Sequence, residues 1–245
     1  MKAWERYITS VQDAVQLTYD TQENNIIAAA NAFAGCTKEG GIIYVFGTGH
    51  SHMIADDVFM RAGMLANICA IVDPCVAAMN EITKTYLVEK IPGLGSIIVN
   101  YHRIKAPDVL VAVSNSGNNA VTIDVASACR EKDVKVIAIT GAGYSDQLRT
   151  LHPSGKKLKD CADIVLDNKS LFGDATVEYE GFDMKVGAMS TSTFCYLLCA
   201  SLTQAVEILV EQGFHPDVYM SADKNGAAEN NAMLVDKYFY RIRNL

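Results

Sequence analysis

Five short, nearly unbroken apolar runs constrain this chain most: IIYVF at 42–46, NICAIVD at 67–73, VLVAVS at 109–114, VKVIAIT at 134–140 and ADIVLDN at 162–168. Each is rich in β-branched residues and shorter than an ordinary helix, so each reads as a strand covered on both faces. Helical spacing separates most of them, over 51–63, 120–132 and 144–151, and precedes them over 4–35, where Gly40 and Gly41 mark a turn. Such alternation predicts an α/β fold with one doubly wound, five-stranded parallel sheet flanked by helices, and places the ligand at the carboxyl ends of the strands. Residues 74–107 are too many for a single loop, which predicts helices near 80–90 and 93–103. The stretch FGDATVEYEGFDMKVGA, 172–188, reads as a short hairpin or irregular excursion before a long helix over 189–212. A Pro-bounded loop and a final helix complete the tail. With no internal repeat, linker or compositional shift, the expectation is a single domain over 1–245, its core spanning about 30–215, with helical extensions at both ends.

Charge and cysteine usage narrow the function classes. The net charge of −7 argues against a nucleic-acid partner, and residues 1–40 offer only Lys2, Arg6 and Lys38, too few for a DNA-binding unit. A small anionic ligand is compatible with that charge, because a local site can be positive inside an acidic protein. The seven cysteines are odd in number and scattered, with no C-x-x-C pair and no His/Cys cluster at metal spacing. This predicts a reducing compartment, no bound metal and no cofactor. The N-terminus lacks the apolar core of a signal peptide, and STFCYLLCASLTQAVEILV is interrupted by Gln204 and Glu207, so it reads as a buried helix and not a membrane span. A cytoplasmic protein is expected.

The chemistry concentrates in two loops. SNSGNN, 114–119, follows the third strand and opens a helix, so its backbone amides and the positive end of the helix dipole point the same way. Ser114 and Ser116 add hydroxyls, Gly117 permits close approach, and Asn118 or Asn119 can cap the helix while donating amide protons. Asn115 stands among them. The result is a phosphate cradle without a lysine. The first strand ends similarly in FGTGHSH: Gly47 and Gly49 allow a tight turn around Thr48, and His50, Ser51 and His52 start the next helix. A third glycine and an acidic ribose ligand are missing, which disfavours a dinucleotide. In the 2-1-3-4-5 strand order the two loops become neighbours at the switch point and line one pocket.

FGTGHS together with VLVAVSNSGNN and VKVIAIT resembles the SIS (sugar isomerase) domain family, and RAG, HPSGKKL, ADIVLDN, GDA and STST extend the likeness to bacterial proteins labelled phosphoheptose isomerase. The resemblance implies a flavodoxin-like SIS fold, sugar phosphate as ligand, phosphate contact by Ser51, Ser114, Ser116 and Asn119, and a homodimer or homotetramer with sites near the interface. Where phosphoheptose isomerases carry a His and a Glu after the first loop, this chain has Asp57 and Arg61, and its 189–212 helix has no histidine.

An aldose–ketose isomerase needs a base that shuttles a proton between adjacent carbons, commonly a carboxylate. Glu89 is the first candidate, because EKIPG resembles the family pattern Glu-(Lys/Arg)-x-x-Gly; a solvated helix-end glutamate is the alternative. Asp57 is the second, although Asp57 and Arg61 stand at i and i+4 and can simply pair on a helix surface. Glu81 ranks third. His50 and His52 lie in the pocket turn, with His52 a further catalytic candidate. Ser190 and Thr191 read as an N-cap whose hydroxyls can also reach the sugar. Lys185 reads as exposed and His215 as a turn residue. The expected function is therefore a sugar-phosphate isomerase, with a lyase or etherase of the same superfamily, or a non-catalytic sugar-phosphate sensor, as alternatives.

Overall fold

The computed structural model describes residues 1–79 and 81–245. A helix, α1 (Ala3–Lys38), leads into β1 (Ile43–Gly47), a 3-10 turn (His50–His52) and α2 (Met53–Val58). Then come β2 (Ile68–Ile71), α3 (Ile82–Val88), α4 (Leu94–His102), β3 (Val109–Val113), α5 (Ala120–Arg130), β4 (Lys135–Thr140), α6 (Ala142–Asp146) and β5 (Ile164–Asp167). A hairpin, β6 (Ala175–Tyr179) with β7 (Phe182–Ala188), precedes α7 (Ser190–Glu211) and α8 (Ala227–Tyr238).

The five apolar runs form one parallel sheet in the order β2-β1-β3-β4-β5, as the alternation predicts. Their continuous hydrophobicity has a direct cause. Along β1, β3 and β4, Ile43, Val45, Val109, Val111, Ile137 and Ile139 face one side and pack with α1, α2 and α7. Tyr44, Phe46, Leu110, Ala112, Val136 and Ala138 face the other side and pack with α4 and α5. Helix α7 is long and apolar enough to cross a bilayer by length and composition, but Phe194, Leu197, Leu198, Leu202, Ala205 and Leu209 bury its apolar stripe in the core shared with α1. Each of the larger side chains contributes about 1.5–3 kcal/mol of burial. The thiols of Cys36, Cys69 and Cys129 are pushed up to about 12 by burial, so they act as small hydrophobes.

Two helices are shorter than their sequence patterns. The pattern over 51–63 yields a helix only to Val58; Phe59 turns extended and Met60 adopts φ 50°. The following segment pairs with the tail, where the N–H groups of Gly63 and Ala66 donate to the carbonyls of Tyr219 and Asp217 at 2.8 and 2.9 Å. Residues 149–151, expected to close a helix from 144, are held as a loop by Asn118: its Nδ2 donates to the Arg149 carbonyl at 2.9 Å and its Oδ1 accepts the Leu151 N–H at 3.2 Å. In both cases a long-range partner outweighs local propensity.

Candidate functional site

A cleft of about 410 Å³ lies over the carboxyl ends of β1 and β3. Both loops reach it. Gly47 closes β1 where the chain doubles back so tightly that a Cβ there would stand 2.6 Å from the Ser51 carbonyl oxygen. That close approach brings Thr48, Gly49, His50 and Ser51 to the cleft wall. The Gly49 N–H donates to the Val76 carbonyl at 2.9 Å and fixes the turn against the segment after β2.

From the other side, SNSGNN contributes Ser114, Asn115, Ser116 and Asn119. The Ser114 Oγ accepts the Gly117 N–H at 3.2 Å, and the Ser116 Oγ accepts the Asn118 N–H at 3.3 Å. Both hydroxyls are thus used as acceptors within the loop, which leaves their protons to donate to an anion. Gly117 sits at φ 62°, with Thr140 Oγ1 and Ser145 Oγ only 3.0 and 3.1 Å from where a Cβ would be, so it shapes the loop from behind. Asn119 is the N-cap of α5, yet its side chain does not cap. Instead, its Nδ2 donates across the cleft to Thr48 Oγ1 at 2.9 Å and to Glu89 Oε2 at 2.8 Å.

Glu89, at the carboxyl end of α3, joins the two loops. Its Oε2 also accepts the Thr48 hydroxyl at 2.7 Å, and its main-chain carbonyl receives the Val121 N–H of the first turn of α5 at 3.1 Å. The residue is only 8% exposed, which excludes a solvated helix-end glutamate. Burial holds its carboxyl above the usual carboxylate range, with the Thr48 hydrogen bond and Lys90 pulling the other way. With Oε2 taken by Thr48 and Asn119, Oε1 makes no hydrogen bond among the described residues.

Asp174, Tyr144, Thr85 and Tyr86, none of them a candidate from the sequence, also line the wall. Asp174, in the left-handed region at φ 67°, accepts the N–H groups of Met189 and Ser190 at 3.1 and 2.8 Å and the Ser190 hydroxyl at 2.7 Å. It is the acidic cap of α7, delivered from 15 and 16 residues upstream across the hairpin, a separation at which no capping pattern can be read. Tyr144 has its phenol raised by burial and then by Asp174, and its ring meets Phe172 edge-on at 5.1 Å. Tyr86 stands with Thr85 on the α3 side of the cleft. Asn115 is tied outward, donating to Ser170 Oγ at 3.0 Å and accepting from Asn168 at 3.2 Å, so its side chain spans the ends of β3 and β5.

Other candidates stand elsewhere. His52 lies beneath the turn, its Nδ1 2.6 Å from the Gly49 carbonyl and its Nε2 3.5 Å from Asp56, and does not line the cleft. Asp57 is also outside, paired with Arg61 as the i, i+4 spacing allows and facing Cys195 on α7. Asn118 clamps the 149–151 loop, and Gly47, Gly117 and Thr191 are not among the lining residues. Glu81 pairs with Lys84 at 2.5 Å and Lys185 with Glu178 at 2.5 Å. Asp57 with Arg61 does not make a metal-ligand set, and among the described residues no three His, Cys, Asp or Glu groups converge.

The sheet order, with two serine- and glycine-bearing loops meeting at the switch point, defines a flavodoxin-like α/β protein whose cleft wall carries hydroxyl and amide groups and no lysine or arginine among its lining residues. The chain belongs to the SIS domain family, whose model matches residues 6–141. A UPF0309 protein of Halalkalibacterium halodurans is 37% identical over 237 residues, covering 97% of this chain and 95% of that one. A UPF0309 protein of Listeria innocua is 35% identical over 223 residues, covering 91% and 90%. Among solved structures, phosphoheptose isomerase GmhA from Neisseria gonorrhoeae shares the fold at TM-score 0.53 and 21% identity, over 82% of this chain and 95% of that one. The Vibrio vulnificus NanR protein complexed with ManNAc-6P aligns at TM-score 0.52 and 15% identity, over 99% of this chain and 71% of that one.

Proposed function

We propose that the chain is a sugar-phosphate isomerase. The phosphate is held by Ser51, Ser114 and Ser116 with the amides opening α5, and Glu89 is the acid/base. The observation that carries this reading is the position of Glu89: a buried carboxyl with a raised pKa, anchored through one oxygen to both anion-facing loops. Burial shifts this carboxyl upward, the direction that makes a carboxylate a stronger proton acceptor for acid/base work. In the ionised form Glu89 takes the proton from the carbon beside the substrate carbonyl. The C–H electrons form the C=C bond of an enediol(ate) while the carbonyl π electrons move to oxygen. The same proton then returns to the former carbonyl carbon, and the hydroxyl proton passes from the neighbouring oxygen to the former carbonyl oxygen, so the reaction is redox-neutral within one molecule. Thr48 and Asn119 hold Oε2 so that Oε1 faces the cleft. His50 and Ser190, both on the wall, are placed to hydrogen-bond sugar hydroxyls. The complex of the SIS-fold neighbour with ManNAc-6P supports phosphosugars as the ligand class.

The supporting reading of assembly is a homodimer or homotetramer. Ile82 and Tyr86 line the cleft and are themselves exposed, and Trp4, Ile8, Phe182, Met184 and Val186 add exposed apolar surface on α1 and the hairpin. Light scattering on a sizing column measures this directly.

The test begins with a thermal-shift panel of pentose, hexose, heptose and N-acetylhexosamine phosphates, with the unphosphorylated sugars as controls. A ligand at about 100 times its Kd stabilises the fold by roughly 2.7 kcal/mol. Stabilisation by phosphorylated sugars alone, followed by aldose–ketose interconversion of the best ligand, is the expected result. Binding without any turnover overturns the enzyme reading in favour of a sensor, and release of a substituent with no interconversion overturns it in favour of a lyase.

A further inference from the structure

A second cavity, about 530 Å³, opens where the end of α4 meets the C-terminal tail, and it is larger than the cleft over β1 and β3. Its walls are Tyr101, His102, Arg103 and Lys105 on one side and residues 239–243 with Leu245 on the other. The tail is fixed to the sheet: Arg241 pairs with the buried Asp108 at 2.7 Å, and the Asn244 side chain donates to the Ala70 carbonyl on the edge strand β2 at 2.9 Å. Arg103, Lys105 and Arg243 make no ion pair among the described residues. Cations after a helix end complement its dipole, which accounts for Arg103 and Lys105 alone. It does not account for Arg241 and Arg243 converging on them from a different element, in a chain of net charge −7. Arg103 moreover holds a left-handed conformation, φ 56°, where glycine would be at ease.

The cavity also carries aromatic faces. The Arg243 guanidinium lies 4.7 Å from the Tyr101 ring centroid, Tyr101 meets His102 edge-on at 5.2 Å, and Tyr240, 93% exposed, stands beside Phe239. The His102 Nδ1 is buried with no partner.

We propose that this cavity binds a nucleoside polyphosphate, with the phosphates among Arg103, Lys105 and Arg243 and the base against the Tyr101 and Tyr240 rings. Three unpaired cations exceed what a single phosphate ester needs, and planar rings beside them suit a base more than a sugar. The site is separate from the Ser114–Asn119 loop, so the two binding events are separable by mutation.

Isothermal titration of the full chain with ATP, ADP, adenosine and tripolyphosphate tests this. ATP or ADP is expected to bind at least about tenfold more tightly than adenosine or tripolyphosphate, since stacking and charge-assisted bonds both contribute. The double variant R103Q/K105Q, whose replaced side chains are exposed, and R243Q should each weaken nucleotide binding about tenfold or more, with unchanged melting temperature. Ser114→Ala with Ser116→Ala should leave it unchanged. Absence of nucleotide binding, tripolyphosphate binding as tight as ATP, or loss of binding in the Ser114/Ser116 variant with retention in R103Q/K105Q would each overturn the proposal.

Discussion

The cleft over β1 and β3 and the cavity at the tail distribute charge in opposite ways. The cleft wall contains two carboxylates, Glu89 and Asp174, and neutral hydroxyl and amide donors, with no lysine or arginine among its lining residues. The tail cavity is lined by Arg103, Lys105, Arg241 and Arg243. A neutral cradle can hold an anion only through oriented dipoles at short range, so its strength depends on loop geometry and on the start of α5. A cationic cavity attracts through space and is screened by salt. The difference has a consequence for chemistry. Lys90 and the Thr48 hydroxyl both draw the Glu89 carboxyl down, but with no cation in the cleft wall burial is the larger effect and leaves it raised.

The largest expected effect falls on Glu89. Replacing it with Gln keeps an oxygen for Thr48 and Asn119 but removes the proton-carrying group, so turnover on the phosphosugar substrate should fall by about 10²–10⁴. Affinity for that substrate should change far less. An undiminished rate in a stopped or coupled assay would assign the proton transfer elsewhere and leave the raised carboxyl without a role.

Next in size are the hydroxyls of the cradle. Ser114→Ala or Ser116→Ala removes a donor to a charged acceptor, worth roughly 1.5–3 kcal/mol, or about 10–150-fold in Kd. The unphosphorylated sugar should show no comparable loss. If the two sugars weaken equally, the serines hold the loop and not the phosphate, which would erase the contrast between the two regions.

Asp174 tests the wall opposite Glu89. It is a remote cap of α7, accepting two amides and one hydroxyl. Asp174→Ala should therefore lower stability by about 0.5–2 kcal/mol, a loss that circular dichroism melting resolves in a chain of this size. An unchanged melting temperature would mean that the start of α7 is held by other contacts and that Asp174 is free for the substrate.

The contrast between contiguous and assembled features also explains what the sequence made legible. The strands were readable because each carries its own signal: alternate residues of β1, β3 and β4 are buried on opposite faces, so nothing polar is tolerated between them. The two loops were readable for the same reason, since Thr48 to Ser51 and Ser114 to Asn119 are continuous. Asp174, Tyr144, Thr85 and Tyr86 were not, because three separate segments bring them to one wall and none carries a local pattern. His52 and Asp57, by contrast, do not line the cleft. Nearness in sequence to a cleft loop suggested nearness in space, but the 3-10 turn at 50–52 rotates His52 under its own backbone and α2 carries Asp57 toward α7. The lengths of α2 and α6 were likewise decided by the tail and by Asn118, partners that no window of local sequence contains.

The smallest expected effect is the most specific to the buried carboxyl. Because burial raises the Glu89 pKa in the native state, the native protein holds this proton to higher pH than the unfolded chain does. The stability Glu89 contributes is thus complete below the unfolded carboxyl range near about 4.3 and is lost as pH rises through the raised native value. Glu89→Gln cannot ionise, so it keeps what the wild type loses. The melting temperature of the variant minus that of the wild type should grow as pH is raised from about 4 and level off once Glu89 is ionised in both states. All other carboxyls titrate in both proteins and cancel in the difference. A difference that is flat with pH would show that the Thr48 and Asn119 hydrogen bonds offset burial completely, and one that falls as pH rises would show that they exceed it. In either case the cleft would stabilise a carboxylate as a cationic site does, and the distinction between the two regions would no longer rest on Glu89.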